Sequence, residues 1–544
     1  MTGEATTLPL RERPVAGARR WRLGLGGFKA SEGTTTAELG AAVALASIVL
    51  LSLFVVLMAA NRPSVLSPTT HNNYYPHWMA GPLGGLWPGL TDNSTTLKYL
   101  FSGAIVAMYV GYLVVLRRGA RVPARWVVVS LLAVHAIFIL SPPLALTDLF
   151  NYVNYGRMEV VHHLNPYTSI PILEPHDDPS FALSNWHQLL SPYGPLFTLL
   201  TFVVVPLGVA GSFWALKILL AGASLGTLLL VWKCAKLLGR NPVSAIALVG
   251  LNPIVLVWGL GGDHNDFLML FFIVLGFYLL LLAREHERTR PQRDRRTWFE
   301  PVSPALLGAG ASFIVATGLK ASGGVLIPVV LAGLLSHRRA LAQVLAGMVL
   351  AGLAVGAASL IAFGLHIPDL STQARLVTNE SVPNLIGLAV GAGGETETLH
   401  KLLTIALAAS VLAACWAAWR PGGFRRGGRR RGERSLFMRG DAAAGQGAAG
   451  QGAAARTITA SGWASVALLV TLSWVLPWYV LWVLPLAALS SSRRLRVASL
   501  VLGAYLIIAW APASGKLWDL IGFHPEKTAV GRLHQRDVRE LLRT

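Results

Sequence analysis

Two polar clusters break otherwise apolar sequence, and both hold side chains able to move a proton or bind an anion. The first reads Thr147-Asp148-Leu-Phe-Asn151-Tyr152-Val-Asn154-Tyr155-Gly156-Arg157, followed by His162-His163-Leu-Asn165-Pro166-Tyr167. The near-helical spacing of Asn151, Tyr152 and Tyr155 predicts a helix along the membrane interface with Asp148 near its N-terminus. Free backbone N–H groups and the helix dipole favour an ionised carboxylate there. An ionised carboxylate facing a cavity suits a general base. The structural alternative is that Asp148 merely caps the helix after a Thr-Asp turn.

The second cluster is Gly261-Gly262-Asp263-His264-Asn265-Asp266, set between two apolar runs. Its glycines permit a tight turn and close backbone approach. A plain polar hairpin is one reading. A metal site from Asp263, His264 and Asp266 is another, although one short cluster does not define ligand geometry. Ser191-Pro-Tyr193-Gly-Pro195 forms a rigid aromatic turn at the start of another apolar run. Lys320 stands alone between two apolar runs, where a cation is costly unless it meets an anion. A phosphate would serve, and a snorkelling anchor is the alternative. Trp474, Trp478, Tyr479 and Trp482 gather around Pro477, either as an interface belt or as a surface for sugar stacking. His162 and His163 either bind substrate or are solvated.

These residues must be positioned by membrane helices. The 544 residues are 53% hydrophobic and only 13% charged, whereas a soluble globular chain carries about 25% charged residues. The fold class is therefore an all-α, polytopic transmembrane bundle of about 12–14 membrane helices, with interfacial helices in an outer loop. The net charge of +20 lies in short stretches between apolar runs, a positive-inside pattern rather than a nucleic-acid-binding face. Basic linkers such as Lys233–Arg240, Arg284–Arg296 and Arg420–Arg439 are expected in the cytoplasm, and cation-poor segments such as 146–192 outside. Alternation fails once, at 193–240, where two apolar runs must make one net crossing. Either a broken or re-entrant helix at Pro206 and Gly208 restores it, or Lys233–Arg240 is an exception to the rule. Cys234 and Cys415 support neither a disulfide framework nor a cysteine zinc site.

The expected organisation is a basic tail (1–36), a membrane catalytic domain (37–419) with its outer loop at 146–192, a basic low-complexity linker (420–457), C-terminal membrane helices (458–511) and a polar C-terminal tail (512–544). The N-terminus does not read as a cleavable signal. No nucleotide-binding glycine loop follows a strand, and no cofactor or metal is expected.

In order and spacing, Thr147-Asp148…Asn151-Tyr152…Gly156-Arg157…Asn165-Pro166-Tyr167, Ser191-Pro-Tyr-Gly-Pro-Leu, Gly262-Asp263-His264-Asn265-Asp266 and Gly318-Leu-Lys320 resemble the actinobacterial GT-C glycosyltransferases. Within these, they resemble the polyprenol-phosphomannose-dependent α-1,6-mannosyltransferases of the MptA/MptB type. The resemblance covers about residues 38–511. It implies a GT-C helical bundle in the cell membrane with an extracytoplasmic active site. It also implies an Asp in the first large outer loop as catalytic base, which maps onto Asp148. The donor would be a polyprenyl-phosphate sugar and the acceptor a cell-envelope glycan or lipoglycan. Substrate contacts would come from Asn151, Tyr152, Arg157, Asn165, Tyr167, Tyr193, Asp263, His264, Asn265, Asp266, Lys320 and Trp478. Asp148 has no adjacent acidic partner, which argues against an obligatory metal there. A transporter or lipid flippase is the competing class. It predicts an inverted repeat and charges at the bilayer midplane, and the sequence displays neither. A GT-C enzyme using another polyprenyl-phosphate sugar is the third reading.

Overall fold

The computed structural model describes residues 36–60, 66, 74–87, 93–119, 122–144, 147–289, 302–420 and 452–542. The expected basic tail, except its last residue, and most of the expected linker at 420–457 lie outside the described residues. Among the described residues the regular structure is entirely helical. The chain runs through α1 (Thr36–Ala60), α2 (Ser94–Arg118) and α3 (Ala124–Ile139) to α4 (Asp148–Val160), then a long loop to residue 194. Next come α5 (Pro195–Val204), α6 (Gly208–Leu237), α7 (Pro242–Gly250), α8 (Asp266–Thr289), α9 (Pro304–Leu319), α10 (Ile327–Leu334) and α11 (Arg338–Phe363). Short α12 (Ser371–Ala374) and α13 (Val382–Ala389) precede α14 (Glu397–Trp419) and α15 (Gly452–Thr471). The last helices are α16 (Leu484–Leu489), α17 (Arg493–Trp510), α18 (Ser514–Leu520) and α19 (Ala529–Leu542).

Seven stretches among the described residues are long and apolar enough to cross a membrane: α1, α2, α5 with α6, α8, α11, α14 and α15. The pair α17 and α18, bent by 87°, makes an eighth, and four shorter apolar stretches fill the spaces between them. The protein is thus a polytopic helical membrane protein. Side-chain caps start several helices where the sequence offers them. Asn93 accepts from the N–H groups of Thr95 and Thr96 at α2, and Asn241 from that of Ser244 at α7. Helices α9 and α11 pack with almost no side chain between them. A Cβ on Gly310 would lie 2.0 Å from the Val344 carbonyl, and one on Gly347 2.0 Å from that of Leu307.

The stretch at 193–240, where alternation fails, is interrupted in the structure. Helix α5 has 10 residues, a rise of about 15 Å, which is half of a ~30 Å hydrocarbon core. Pro206 removes a backbone donor, and Gly208 takes a left-handed φ of 70°. The 30-residue α6 then rises about 45 Å, and α5 with α6 together form one of the seven candidate spans.

The two ends of the bundle differ in chemistry. At one end Arg240 donates to the Ser490 carbonyl, and Arg456 lies close enough to act electrostatically on Arg284 and His337. At the other lie α4, the loop that follows it, and α19. Residues 512–544, expected as a polar tail, contain two helices, and α19 rests on that loop. The Gln188 N–H donates to the Leu541 carbonyl, and the His534 ring meets Trp474.

Candidate active site

Asp148 is the first residue of α4, and the N-cap residue Thr147 makes no side-chain cap. The Asp148 carboxylate faces the second polar cluster. Its Oδ2 lies 3.1 Å from Nδ1 of His264. The chain entering α4 is tied to the second polar cluster by the backbone as well, since the Leu144 N–H donates to the Gly261 carbonyl at 2.7 Å. A wide π-type turn, Val255–Leu260, delivers that cluster. Such turns recur at functional sites. Asp263 then takes a left-handed φ of 54°, a conformation that costs energy for a residue with a Cβ.

The left-handed turn sends four consecutive residues to four different surroundings. Asp263 takes both carboxylate contacts from Lys217 of α6, at 2.9 and 3.1 Å. His264 meets Asp148 and stacks on Trp478, with ring centroids 3.5 Å apart. The Asn265 N–H donates to the Tyr152 hydroxyl at 3.3 Å. Asp266 accepts from Lys320 at 2.7 Å and from Trp482 Nε1 at 2.6 Å. The ligand set Asp263, His264 and Asp266 does not converge: among the described residues no three His, Cys, Asp or Glu side chains are grouped to hold a metal ion.

The electrostatics single out one acid. Asp263 and Asp266 are both buried (side chains 4% and 0% exposed), and each is neutralised by a lysine. Asp148 has His264 instead, and its side chain is 19% exposed. A buried charge needs a counter-charge in place, so two carboxylates are committed to holding the turn and α9. The third remains at a surface. Lys320 is bound to Asp266 and lies over the rings of Tyr479 and Trp482, yet stays 20% exposed. Beside these groups, the side-chain amide of Asn265, Nδ2 of Asn151 and Nε1 of Trp478 have no hydrogen-bond partner among the described residues. Buried polar atoms are ordinarily satisfied, and a polar ligand or water at this place would satisfy them.

The other expected contact residues divide into two groups. Tyr152 packs edge-on against Tyr193 and Phe197, each 4.7 Å between centroids, close behind Asp148. Asn151 accepts from the Asn185 N–H with its Oδ1. Trp478 has one ring face covered by His264. These stand near the site. Arg157, Asn165 and Tyr167 work as tethers for the loop that follows α4. Arg157 binds Asp178 through Nε and Nη2 at 2.8–3.1 Å, and His162 reaches the same carboxylate at 2.7 Å. The Asn165 amide donates to the Phe363 carbonyl, and the Tyr167 hydroxyl to that of Tyr193. Burial alone would raise the Asp178 carboxyl. The hydrogen bonds from Arg157, Ser180 and His162 outweigh burial and hold it well below the usual carboxylate range. Glu174 is the opposite case. Its carboxylate is buried with no hydrogen-bond partner among the described residues, and burial, with the nearby Asp178 charge adding to it, pushes it up to about 8.

Sequence reading missed Lys217, the partner of Asp263. A lysine in the middle of an apolar run was the available signal, since such a charge is tolerated only when paired. It also missed that the Ser191–Leu196 and Gly318–Lys320 motifs abut. The Gly194 N–H donates to the Leu319 carbonyl, and a Cβ on Gly194 would lie 2.2 Å from the Gly318 carbonyl oxygen.

Residues 50–336 match the family model described as "Alpha-(1->6)-mannopyranosyltransferase, N-terminal domain". That range holds Asp148, Asp263–Asp266 and Lys320, and ends before Trp478. Among curated proteins, the chain is 26% identical over 385 residues to alpha-(1->6)-mannopyranosyltransferase A of Mycobacterium tuberculosis, covering 69% of this chain and 68% of the relative. It is 28% identical over 165 residues to the protein of the same name from Corynebacterium glutamicum, covering 28% of this chain and 32% of that one. No solved structure matches. The chain belongs to the MptA/MptB family of α-(1→6)-mannopyranosyltransferases, as a multi-pass membrane glycosyltransferase.

Proposed function

We propose that the protein transfers a mannosyl residue from a polyprenyl-phosphate donor to a cell-envelope glycan or lipoglycan on the extracytoplasmic face, with inversion at the anomeric carbon and Asp148 as general base. The observation that carries this reading is the contrast among three neighbouring acids. Asp263 and Asp266 are buried and held by Lys217 and Lys320, while Asp148 is partly exposed and faces a histidine. In the step, the acceptor oxygen forms a bond to the sugar C1 as the C1–O bond to phosphate breaks. Asp148 takes the acceptor hydroxyl proton, and the lipid leaves as a phosphate monoester. The exposed part of Lys320, which also holds Asp266, would donate a hydrogen bond to the leaving phosphate. His264, fixed by its stack on Trp478, holds the Asp148 carboxylate in one orientation. The arginines and His337 at the far end of the bundle support the assignment of the Asp148 end to the outer face. A donor carried in the bilayer would reach this end between apolar helices.

The test is transfer from labelled polyprenyl-phosphate mannose by membranes holding Asp148→Asn. Loss of a general base costs ~10²–10⁴-fold. A well-expressed variant that transfers at the wild-type rate removes Asp148 from the mechanism. Replacing the mannose donor by other polyprenyl-phosphate sugars decides the donor separately.

A further inference from the structure

A cavity of about 970 Å³ lies far from Asp148, between α14, α15 and the turns that follow α6 and α16. Its walls are small and apolar along two helix stripes, with Ala413 and Ala417 on α14 and Trp463, Val466 and Val470 on α15. Lining residues on α15 run from Gly452 to Val470, a rise of about 27 Å, close to a ~30 Å hydrocarbon core. Its polar end holds Arg240, Arg456, Ser491 and Ser492. Arg240 already donates to the Ser490 carbonyl, and Nε of Arg456 is buried with no partner among the described residues. Arg456 also lies near Arg284, with Glu287 as the acid acting on that group.

We propose that this cavity binds an anionic phospholipid from the leaflet on the arginine-rich face, with its phosphate at Arg240 and Arg456 and one acyl chain along α15. The charge decides among occupants. The buried Nε of Arg456 would donate to a phosphate oxygen, and guanidinium groups match phosphate oxygens in pairs. The chain's own segment at 420–439 has eight arginines against one acid, Glu433, so its charge does not complement this end. A free anion would leave an apolar groove of bilayer length uncovered, and a lipid satisfies both ends. This site is separate from the sugar-transfer site and does not depend on the donor assigned above.

The experiment uses the full chain, delipidated in neutral detergent, with native mass spectrometry and thermal unfolding as readouts. The probes are phosphatidylglycerol, phosphatidylcholine with the same chains, and inorganic phosphate. The expected result is retention of one phosphatidylglycerol with a raised Tm, binding about tenfold tighter than phosphatidylcholine, and no effect of phosphate alone. Arg240→Gln with Arg456→Gln should abolish the preference. Ala413→Trp, which fills the groove from an exposed position, should weaken both lipids and keeps the proposal testable if the arginine variant does not fold. Equal binding of the two lipids, a preference that survives the arginine changes, or stabilisation by phosphate alone would overturn it. So would a deletion of residues 425–439 that raises occupancy of both lipids alike, which would make that segment the occupant.

Discussion

The Asp148 carboxylate and the His264 imidazole lie 3.1 Å apart although 116 positions separate them, and His264 is itself clamped face to face on Trp478. The stack leaves the histidine little freedom, so the carboxylate beside it is held to one orientation. General-base catalysis depends on that, because a misplacement of about 1 Å can cost ~100-fold in rate.

His264→Ala should therefore lower kcat for mannosyl transfer by up to ~100-fold, less than Asp148→Asn, with a smaller change in KM. Steady-state kinetics of the two single variants and the double variant check this. A positioning role predicts that the double variant is no worse than Asp148→Asn alone. If His264→Ala slows transfer as much when Asp148 is already Asn, the histidine acts independently of the acid.

The buried pair Lys217–Asp263 should behave as a unit. Removing one partner leaves an uncompensated buried charge, at a cost of about 3–5 kcal/mol. Lys217→Met and Asp263→Asn should each lower thermal stability in detergent. Lys217→Met combined with Asp263→Leu should recover much of the loss, apart from the strain of a left-handed branched residue at 263. A double variant as unstable as the sum of the singles would contradict the coupling.

Glu174 sets a pH dependence of the loop after α4. Its folded value, about 8, lies above the ordinary 4.5 because of burial. The folded state thus holds a proton that the unfolded chain releases, and stability falls as pH rises through roughly 4.5 to 8, by at most about 1.4 kcal/mol per pH unit. Asp178 acts in the opposite sense. Its lowered value gives stability that is complete above its unfolded value and is lost as pH falls below it. Thermal unfolding across pH 5 to 9 should show the decline, and Glu174→Gln should flatten it. An unchanged slope in that variant would assign the decline elsewhere.

Gly194→Ala should disrupt the meeting of α5 with the end of α9, because its Cβ would lie 2.2 Å from a backbone oxygen that cannot swing away. An overpacking cost of about 1–3 kcal/mol is expected, with transfer activity falling because Lys320 follows directly. Gly222→Ala in α6 is the control. A Cβ there meets nothing within 4 Å, and alanine should stabilise the helix by up to about 1 kcal/mol. Thermal unfolding of both variants checks the contrast.

Local chemistry by itself determined a good deal. Apolar runs of spanning length predicted an all-α membrane bundle, because lipid requires every backbone group to be satisfied within the segment. The positions of Asp148, Asp263–Asp266 and Lys320 stood out because polar residues interrupt apolar sequence at a cost. The family could be read from the order of those motifs. What each polar residue touches was not legible in this way. Lys217 and Asp263 are 46 positions apart, and Asp266 and Trp482 are 216 apart. Such pairings depend on how whole helices pack, not on periodicity within one. Only the tertiary structure showed that Asp263 and Asp266 are neutralised, that Arg157, Asn165 and Tyr167 tether a loop, and that Asp148 alone among the three acids has a histidine and partial exposure. Sequence marks where charge is placed in an apolar chain, and packing decides which of those charges are cancelled.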